Sequence, residues 1–320
     1  MEATTREANG GPFRTYSEGA AIHLPGIDAL TDQLVNGITL GMLYILVALG
    51  LNIILGLMGV INFSHGSFFM LGAYLTYQLN GAFKNIPGGF WWAILAAAVI
   101  VGLLGMAFES LLIRPLYKRI PEYTLLLTFG TALIFAQLVR KWWGDDAVRV
   151  DTPSYIPQSA NVFGLQLPFY KDILLVIVTI VILTLVWLLL NKTNIGVIIK
   201  AGTRDAEMVK ILGINMPLMF TLVFGIGSLM AGLAGALAAP VYAIQPNWAS
   251  QWIVLTFAIV IVGGIGSFWG AIVGGLVIGI AQSLMALLFP PAVEVTAFLV
   301  MGIILLVRPR GLFGVEGLFE

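Results

Sequence analysis

The sequence contains no cysteine and few charged residues, and both absences narrow what the protein can be. Without cysteine the chain forms no disulfide, no thiolate metal site and no cysteine nucleophile. Charged residues make up 10% of the chain, against about 25% in soluble domains. The 16 Lys and Arg balance the 16 Asp and Glu, so no net charge favours nucleic acid as a partner. A surface with so little charge requires lipid as its solvent.

What the chain has instead is apolar length, since 59% of its 320 residues are hydrophobic and its mean hydropathy is +0.97. A bilayer core about 30 Å thick is crossed by roughly 20 helical residues. On this scale the apolar spans are 37–57, 66–80, 91–113, 123–139, 173–190, 218–239, 248–265, 268–289 and 292–307. The spans 66–80, 123–139 and 292–307 are short, as tilted, broken or re-entrant helices are. We expect an all-α polytopic integral membrane protein with about eight to nine transmembrane helices, some short or broken.

The pattern divides the chain into three parts. Residues 1–33 form a polar N-terminal tail, expected to be disordered or peripheral, 34–307 form the transmembrane domain, and 308–320 form a C-terminal tail. Nine of the 16 Lys and Arg fall in 114–122, 191–216 and the C-terminal tail. Because basic residues concentrate in cytoplasmic loops, these segments, and with them the C-terminus, are expected in the cytoplasm.

Small residues recur at every fourth position in two rows. The rows are Gly227, Ala231, Gly235 and Ala239, and Gly266, Gly270 and Gly274. Such rows let helix backbones approach closely in lipid, which predicts helix packing at these positions. Smooth faces of this kind also permit sliding between two conformations, and the sequence leaves both interpretations open.

A polar segment at 59–66 interrupts two apolar spans and is bracketed by glycines. In one interpretation Asn62 and Ser64 cap a helix that starts near Gly66, and His65 lies at the water interface. In the other, the segment is unwound backbone at membrane depth and forms part of a translocation path or gate. A proton-relay role for His65 lacks support, because no carboxylate lies in the same segment.

Few other polar groups interrupt the spans. Asn52 and Gln282 are uncharged and sit deep, where each either faces a translocation path or bonds a neighbouring helix. Glu109 is one turn from Arg114 and is expected to reach the inner interface, while Glu294 is expected in a first helical turn, where the helix dipole favours an anion. Both glutamates are interpreted as structural.

The loop 191–216 contains a short amphipathic segment outside the membrane. Thr203 is the expected N-cap, Arg204 to Leu212 a two-turn helix and Gly213 its C-cap. The segment either docks into a partner protein or rests on lipid. The candidate contact residues are Thr203, Arg204, Asp205, Ala206, Glu207, Met208, Lys210 and Gly213.

The sequence carries no catalytic motif that we recognise. The only Lys followed by Ser or Thr is Lys192, and Asn191 precedes it where a phosphate-binding loop needs Gly. There is no His-rich zinc motif, no nucleophile elbow and no dinucleotide fingerprint at a strand. We therefore assign no catalytic or metal-binding residue and expect neither an ATPase nor any other enzyme.

Four motifs in order resemble a known family: 56–74, 203–215, 262–275 and 308–314. They are similar to the LivH-type permeases of branched-chain amino acid ABC importers, and the resemblance spans nearly 90% of the chain. It implies a permease in a bacterial inner membrane that moves branched-chain amino acids or a related small polar solute. It also places the family's coupling segment on 203–213.

The resemblance implies partners as well. They are a second, related permease subunit, two cytoplasmic ATP-binding subunits that hold ATP and Mg, and a periplasmic solute-binding protein, with membrane lipid around the permeases. No cofactor is expected in this chain itself. The alternative is a stand-alone ion-coupled secondary transporter or channel, although the scarcity of deep carboxylates argues against proton coupling.

Overall fold

The computed structural model describes residues 26–162 and 165–314 and places eleven α-helices in them. In chain order the helices are α1 Ile27–Met58, α2 His65–Ala82, α3 Gly89–Phe108, α4 Pro121–Trp143, α5 Leu175–Lys192, α6 Asn194–Arg204, α7 Ala206–Ile211, α8 Met216–Ala238, α9 Trp248–Gly263, α10 Phe268–Leu288 and α11 Val293–Val307. Two short antiparallel strands, β1 Ser159–Val162 and β2 Leu165–Pro168, form a hairpin between α4 and α5.

The helices confirm the expected all-α polytopic class. Among the described residues, seven helical stretches are long and apolar enough to cross a membrane, and Trp248–Gly263 is a shorter apolar helix. The predicted tail, 1–33, overlaps the structure only at 26–33, and α1 already begins there, at Ile27. Polar side chains stabilise this early start: Asn36 accepts a hydrogen bond from Lys171, and Gln33 accepts one from Ser283.

The length predicted for one of the apolar spans was wrong. The window 123–139 was expected to be short, but α4 extends from Pro121 to Trp143. Its first turn carries Glu122 and its last turn carries Arg140 and Lys141. These charges oppose the partial charges at the two helix ends, so the helix continues beyond the apolar window that hydropathy detects.

The helices pack around α1 and α8. α1 lies antiparallel to α10, and α8 packs against α1, α2 and α3, while α9 lies between α2 and α10. α4, α5 and α11 are peripheral and leave much of their apolar surface uncovered. Uncovered apolar surface on membrane-spanning helices is covered in the membrane by lipid or by another subunit.

The connections collect on two opposite faces of the bundle. On the face that we call the C-terminal face, Phe313 donates a backbone hydrogen bond to Gly263 O, and an added Cβ at Gly202 would lie 2.7 Å from Leu57 at the end of α1. On the opposite face, Val148 and Ile244 exchange two backbone hydrogen bonds. The described N-terminal residues begin on the opposite face, where Asn36 bonds Lys171 just after the β1–β2 hairpin.

The glycines of both rows lie at contacts between helices, and the glycines of one row contact more than one neighbouring helix. A Cβ at Gly227 would lie 2.6 Å from Gly50 O on α1, whereas a Cβ at Gly235 would overlap the carbonyl of Phe69 on α2. Gly270 and Gly274 both contact α9 around Gly263.

Gly266 departs from the row that its spacing suggested. It precedes α10, has φ +77° and contacts Gly56 on α1. Its role is set by the turn between α9 and α10 and by the close approach of α1, because a left-handed backbone conformation favours glycine.

We predict that Gly279→Ala lowers stability by about 1–3 kcal/mol, because the new Cβ would lie 2.5 Å from Gly41 N on α1. The matched control is Gly302→Ala on α11, where nothing lies within 4 Å of an added Cβ. This control should be neutral or stabilising by up to about 1 kcal/mol, because alanine favours helix. The measurement is thermal unfolding of the purified proteins in one detergent, and equal losses in both variants would contradict the prediction.

Candidate functional site

The chain leaves the helical conformation between α1 and α2. Gly59 has φ +64° and ends α1, and the next helix begins only at His65. We call residues 59–64 the unwound segment. The sequence predicted this interruption correctly, and the structure adds its depth.

His65 places the start of α2 well inside the bundle. Its Nε2 lies 3.0 Å from Val47 O on α1, and Val47 precedes Met58 by eleven residues, or about 16 Å of helix. The unwound segment therefore returns into the bundle beside α1. The expectation that His65 lies at the water interface was wrong, because its side chain is completely buried.

Threonines of α4 satisfy the polar groups of the unwound segment. Thr128 Oγ1 accepts a hydrogen bond from Phe63 N at 3.2 Å. Its single proton is shared between Ile61 O at 3.3 Å and Leu125 O of its own helix at 3.1 Å. Ser64 Oγ donates to Thr128 O at 2.7 Å and lies 2.7 Å from Thr131 Oγ1. Since lipid offers no hydrogen bonds, these contacts hold the break at this depth.

The expected capping is only partly present. Ser64 occupies the N-cap position of α2, but its hydroxyl bonds α4 and makes no cap bond to α2. Asn62 Oδ1 accepts from Ser64 N at 3.0 Å. Asn62 Nδ2 and His65 Nδ1 are buried and have no hydrogen-bond partner among the described residues. Buried orphans of this kind are rare in stable cores, so the site carries more polarity than its packing requires.

Asn52 joins α1 to the break between α9 and α10. Its side chain is 2% exposed, and its Nδ2 donates to Ser267 O while its Oδ1 accepts from Gly266 N, both at 2.7 Å. Two opposed hydrogen bonds from one amide fix the turn at Gly266 against the last turns of α1.

Gln282 performs a similar task near the opposite face. Its Oε1 accepts from Tyr44 OH at 2.6 Å, and its Nε2 donates to Val293 O at 3.2 Å. The residue thus connects α1, α10 and the start of α11. It also lines a cavity of about 470 Å³, which we call the α11 cavity and which Glu294 and Trp252 share.

A second cavity, the α4 cavity, lies on the C-terminal face beside the unwound segment. It has a volume of about 300 Å³ and is lined by Gly59 and Ile61 on one side and by Arg119, Glu122 and Leu125 on the other. The α4 cavity thus borders the unwound segment, whereas the α11 cavity lies near the opposite face.

The amphipathic loop forms a bent pair of helices. α6 ends at Arg204, and Asp205 separates it from α7 with extended backbone. The expectation that Thr203 caps a helix over 204–212 was wrong, because Thr203 and Arg204 belong to the end of α6. Asp205 is the N-cap: its carboxylate accepts from Met208 N at 2.9 Å. Gly213 follows α7 and has φ +85°. This left-handed conformation is common in the glycine that ends a helix.

α7 presents apolar side chains to its surroundings. Met208, Ile211 and Leu212 are 52%, 77% and 72% exposed. Val209 points the other way and is buried in the core, while Glu207 and Lys210 are exposed. A helix of six residues gains little stability by itself, so Val209 anchors it to the bundle.

A buried charge cluster was missed by the sequence interpretation, which expected Glu109 at the interface. The Glu109 side chain is fully buried. It accepts from Arg114 at 3.2 Å, from Tyr117 at 2.5 Å and from Thr221 at 2.6 Å. Burial and the bond to Glu109 hold the pKa of the Tyr117 hydroxyl well above its usual value, so this hydroxyl remains a donor. The cluster fastens α3 to the start of α8.

The threonines of α4 were also missed, although the sequence carries a signal for them. Thr124, Thr128 and Thr131 are spaced by four and three residues, which places them on one helix face. In a helix that is otherwise apolar, such a face indicates a polar neighbour. Among the partners of Glu109, Arg114 and Tyr117 are close in sequence, whereas Thr221 comes from α8 and has no local signal.

The long apolar helices define the class of multi-pass membrane proteins. A family model described as "Branched-chain amino acid transport system / permease component" matches residues 33–308, and the chain belongs to this family. The LivH permease protein of Salmonella typhimurium is 28% identical over 293 residues, which are 88% of this chain and 95% of that protein. BraD of Pseudomonas aeruginosa is 29% identical over 303 residues, 91% of this chain and 98% of that protein.

The chain also matches a differently named permease protein of the same kind of system. LivM of Escherichia coli is 27% identical over 277 residues, covering 77% of this chain and 62% of that protein. These relatives are transport permeases. No solved structure matches the chain.

We predict that Thr128→Val loosens the unwound segment, because the change keeps the side-chain shape but removes the hydroxyl that accepts from Phe63 N and lies beside Ile61 O. An unsatisfied buried group costs about 1–3 kcal/mol, so amides of the segment should exchange with solvent at least about fivefold faster. Hydrogen exchange measured by mass spectrometry tests this.

The matched control for this change is Thr184→Val on α5, where the hydroxyl bonds the Ile180 carbonyl of its own helix. The control should leave exchange over residues 59–64 unchanged. Unchanged exchange in Thr128→Val would show that other contacts hold the segment.

Proposed function

We propose that this chain is a transmembrane permease subunit of an ABC importer in a bacterial inner membrane. It moves branched-chain amino acids or a related small polar solute, and partner subunits supply the power by hydrolysing ATP. The observation that carries the proposal is the exposed apolar side of α7, on a short helix attached to the C-terminal face. Its relatives, named as permeases of branched-chain amino acid transport systems, support the choice of solute class.

The C-terminal face is placed in the cytoplasm under this proposal. Basic residues on that face include Arg119, Lys192, Lys200, Lys210 and Arg308, and basic residues favour the cytoplasmic side. The opposite face, with the β1–β2 hairpin, then meets the periplasm and its solute-binding protein.

A second, related permease subunit is expected beside this one. The match to both LivH and LivM supports a pair of unlike but related chains. The uncovered apolar surfaces of α4, α5 and α11 are available for that subunit and for lipid. ATP and Mg belong to two cytoplasmic ATP-binding subunits, because this chain lacks a phosphate-binding loop.

Coupling to ATP is proposed to act through α6 and α7. The side chains of Glu207, Met208 and Lys210 lie exposed on α7, and Asp205 fixes its first turn. Thr203, Arg204, Ala206 and Gly213 complete the proposed coupling segment. Because Gly202 packs against Leu57, force on this segment reaches the end of α1 directly, next to the unwound segment.

The deep polar residues are proposed to support the translocation path. Asn62, Ser64 and His65 belong to or adjoin the unwound segment, Asn52 fixes the α9–α10 turn and Gln282 borders the α11 cavity. Their contacts favour a positioning role, in which they hold broken backbone near the solute's route.

We predict that Ile211→Glu combined with Leu212→Glu reduces recovery of the ATP-binding subunits with the tagged chain by at least about tenfold. A carboxylate forced into an apolar contact costs more than the 1.4 kcal/mol that corresponds to about tenfold in affinity. The matched control is Ile120→Glu, which places a carboxylate at a residue 60% exposed on the same face. Equal loss in the control, or full recovery in the double variant, would contradict the coupling site.

The function itself is tested by purifying the tagged chain gently from its native membrane and identifying what remains bound. We expect two ATP-binding subunits and a second permease, and reconstituted vesicles containing this complex and the binding protein should take up solute only with ATP. Recovery of the chain alone, with uptake driven by an ion gradient and indifferent to ATP, would replace this proposal with a stand-alone secondary transporter.

A further inference from the structure

The central helix α1 is open to its surroundings at one place near the C-terminal face. From Leu43 to Leu57 every residue of α1 is buried except Ile53, which is partly exposed. α5 and α10 both pack against α1, but in the described part of the chain they hardly touch one another. A crevice of about 240 Å³ remains between them, and we call it the α5 crevice. Its lining includes Leu49, Ile53, Trp187, Asn191, Lys200 and Trp269.

The α5 crevice runs along α1 from the helix end toward the interior of the membrane. On α1 its lining extends from Gly56 to Leu49, which are seven residues or about 10 Å of helix apart. Leu49, Ile53 and Leu190 make this inner part apolar. An apolar cavity of about 150 Å³ already holds a benzene molecule. The α5 crevice therefore has room for part of a hydrocarbon chain.

A cation is held at the mouth of the crevice. The Nδ2 of Asn191, in the last turn of α5, donates to Trp187 O at 2.8 Å, and its Oδ1 accepts from Lys200 Nζ at 2.7 Å. The amide thus positions the ammonium group of α6 beside the groove. Among the described residues that line the crevice, Lys200 is the only charged one. No carboxylate there opposes its charge, so the mouth attracts an anion.

Two tryptophans flank the same mouth. Trp187 is 37% exposed and Trp269 is 58% exposed, and tryptophan is enriched at the level of lipid headgroups. α6, which carries Lys200, also exposes the apolar side chain of Val197. An apolar groove, an aromatic rim and a cation at the mouth correspond to the acyl chain, the glycerol region and the phosphate of a phospholipid.

We propose that the α5 crevice binds one phospholipid with an anionic headgroup, taken from the membrane leaflet at the C-terminal face. The lipid phosphate contacts Lys200, and one acyl chain lies against Ile53 between Trp187 and Trp269. The lipid fills the gap between α5 and α10 and supports α6, which leads directly into α7. The inference requires only that the chain crosses a membrane, so it does not depend on the proposed importer function.

The first experiment counts lipids on the tagged full chain by native mass spectrometry. The chain is purified from its native membrane with any subunits that remain bound, and is then titrated in detergent with phosphatidylglycerol or with phosphatidylcholine of the same acyl chains. We expect one site per chain that binds phosphatidylglycerol at least about fivefold more tightly, because a cation at the membrane surface attracts an anionic headgroup. Excess inorganic phosphate should leave the lipid bound, because it offers no acyl chain to the groove.

The charge at the mouth is tested by Lys200→Glu. This variant should weaken phosphatidylglycerol binding at least about fivefold, and Lys200→Arg should retain it. The matched control is Lys118→Glu, which reverses an exposed cation on the same face that lines neither the α5 crevice nor the α4 cavity. The control should leave phosphatidylglycerol binding unchanged.

The groove is tested by Ile53→Phe, which fills it without altering any charge. The larger side chain takes the place of the acyl chain, so binding of both lipids should weaken at least about fivefold. The matched control is Leu185→Phe on α5, at a residue that is 59% exposed and lies outside the crevice. This control should bind both lipids as the unchanged chain does.

A further measurement on the unchanged chain avoids any effect of a substitution on folding. A ligand that binds the folded form slows local opening, so amides of α6 should exchange with solvent at least about threefold more slowly in phosphatidylglycerol than in phosphatidylcholine. Hydrogen exchange measured by mass spectrometry tests this, and equal exchange in the two lipids would contradict the proposal.

Three results of the binding experiments would overturn the lipid site. Equal phosphatidylglycerol binding by the unchanged chain and Lys200→Glu would remove the role of the cation. Displacement of the lipid by inorganic phosphate would make the mouth a simple anion site. Loss of a second permease subunit from Ile53→Phe, with lipid binding unchanged, would make the crevice a subunit interface. These measurements involve neither ATP nor solute uptake, so their failure leaves the importer proposal intact.

Discussion

The structure depends on one constraint: backbone that leaves a helix inside a membrane must find its hydrogen bonds within the protein. The unwound segment, 59–64, meets this constraint through the side chains of another helix. Thr128 serves both Phe63 N and Ile61 O, and Ser64 reaches back to α4. Because those bonds come from side chains, the segment is fixed in position without being part of a rigid helical ladder.

The constraint explains why glycine is concentrated in the rest of the bundle. The unwound segment fits beside α1 only if the neighbouring helices are held close together. In lipid the hydrophobic effect does not drive helices together, so close backbone contact at glycines holds them instead. Gly50 against Gly227 brings α1 to α8, and Gly41 against Gly279 brings α1 to α10. The result is a tightly packed centre of α1, α8 and α10, with α4 and α11 more loosely attached at its edge.

Hydropathy and turn residues predicted the architecture well, because length and apolar content alone distinguish membrane helices. They located the break at Gly59 and the bend near Gly213. Depth and partners could not be predicted. The burial of His65 depends on how far the chain folds back beside α1, and Thr221 of α8 joins Glu109 only where α8 packs beside the end of α3. The Asp205 cap was missed because Thr203, which also belongs to the preferred capping residues, lies two positions earlier.

The contacts connect the exposed α7 to the centre of the bundle. α7 is anchored by Val209, α6 meets the end of α1 where Gly202 contacts Leu57, and α1 holds the α9–α10 turn through Asn52. The unwound segment follows α1 directly. A displacement applied at α7 therefore acts on the end of α1, and packed cores pass on such displacements because they deform little. Through α1, α7 is thus connected mechanically both to the unwound segment and to the α9–α10 turn.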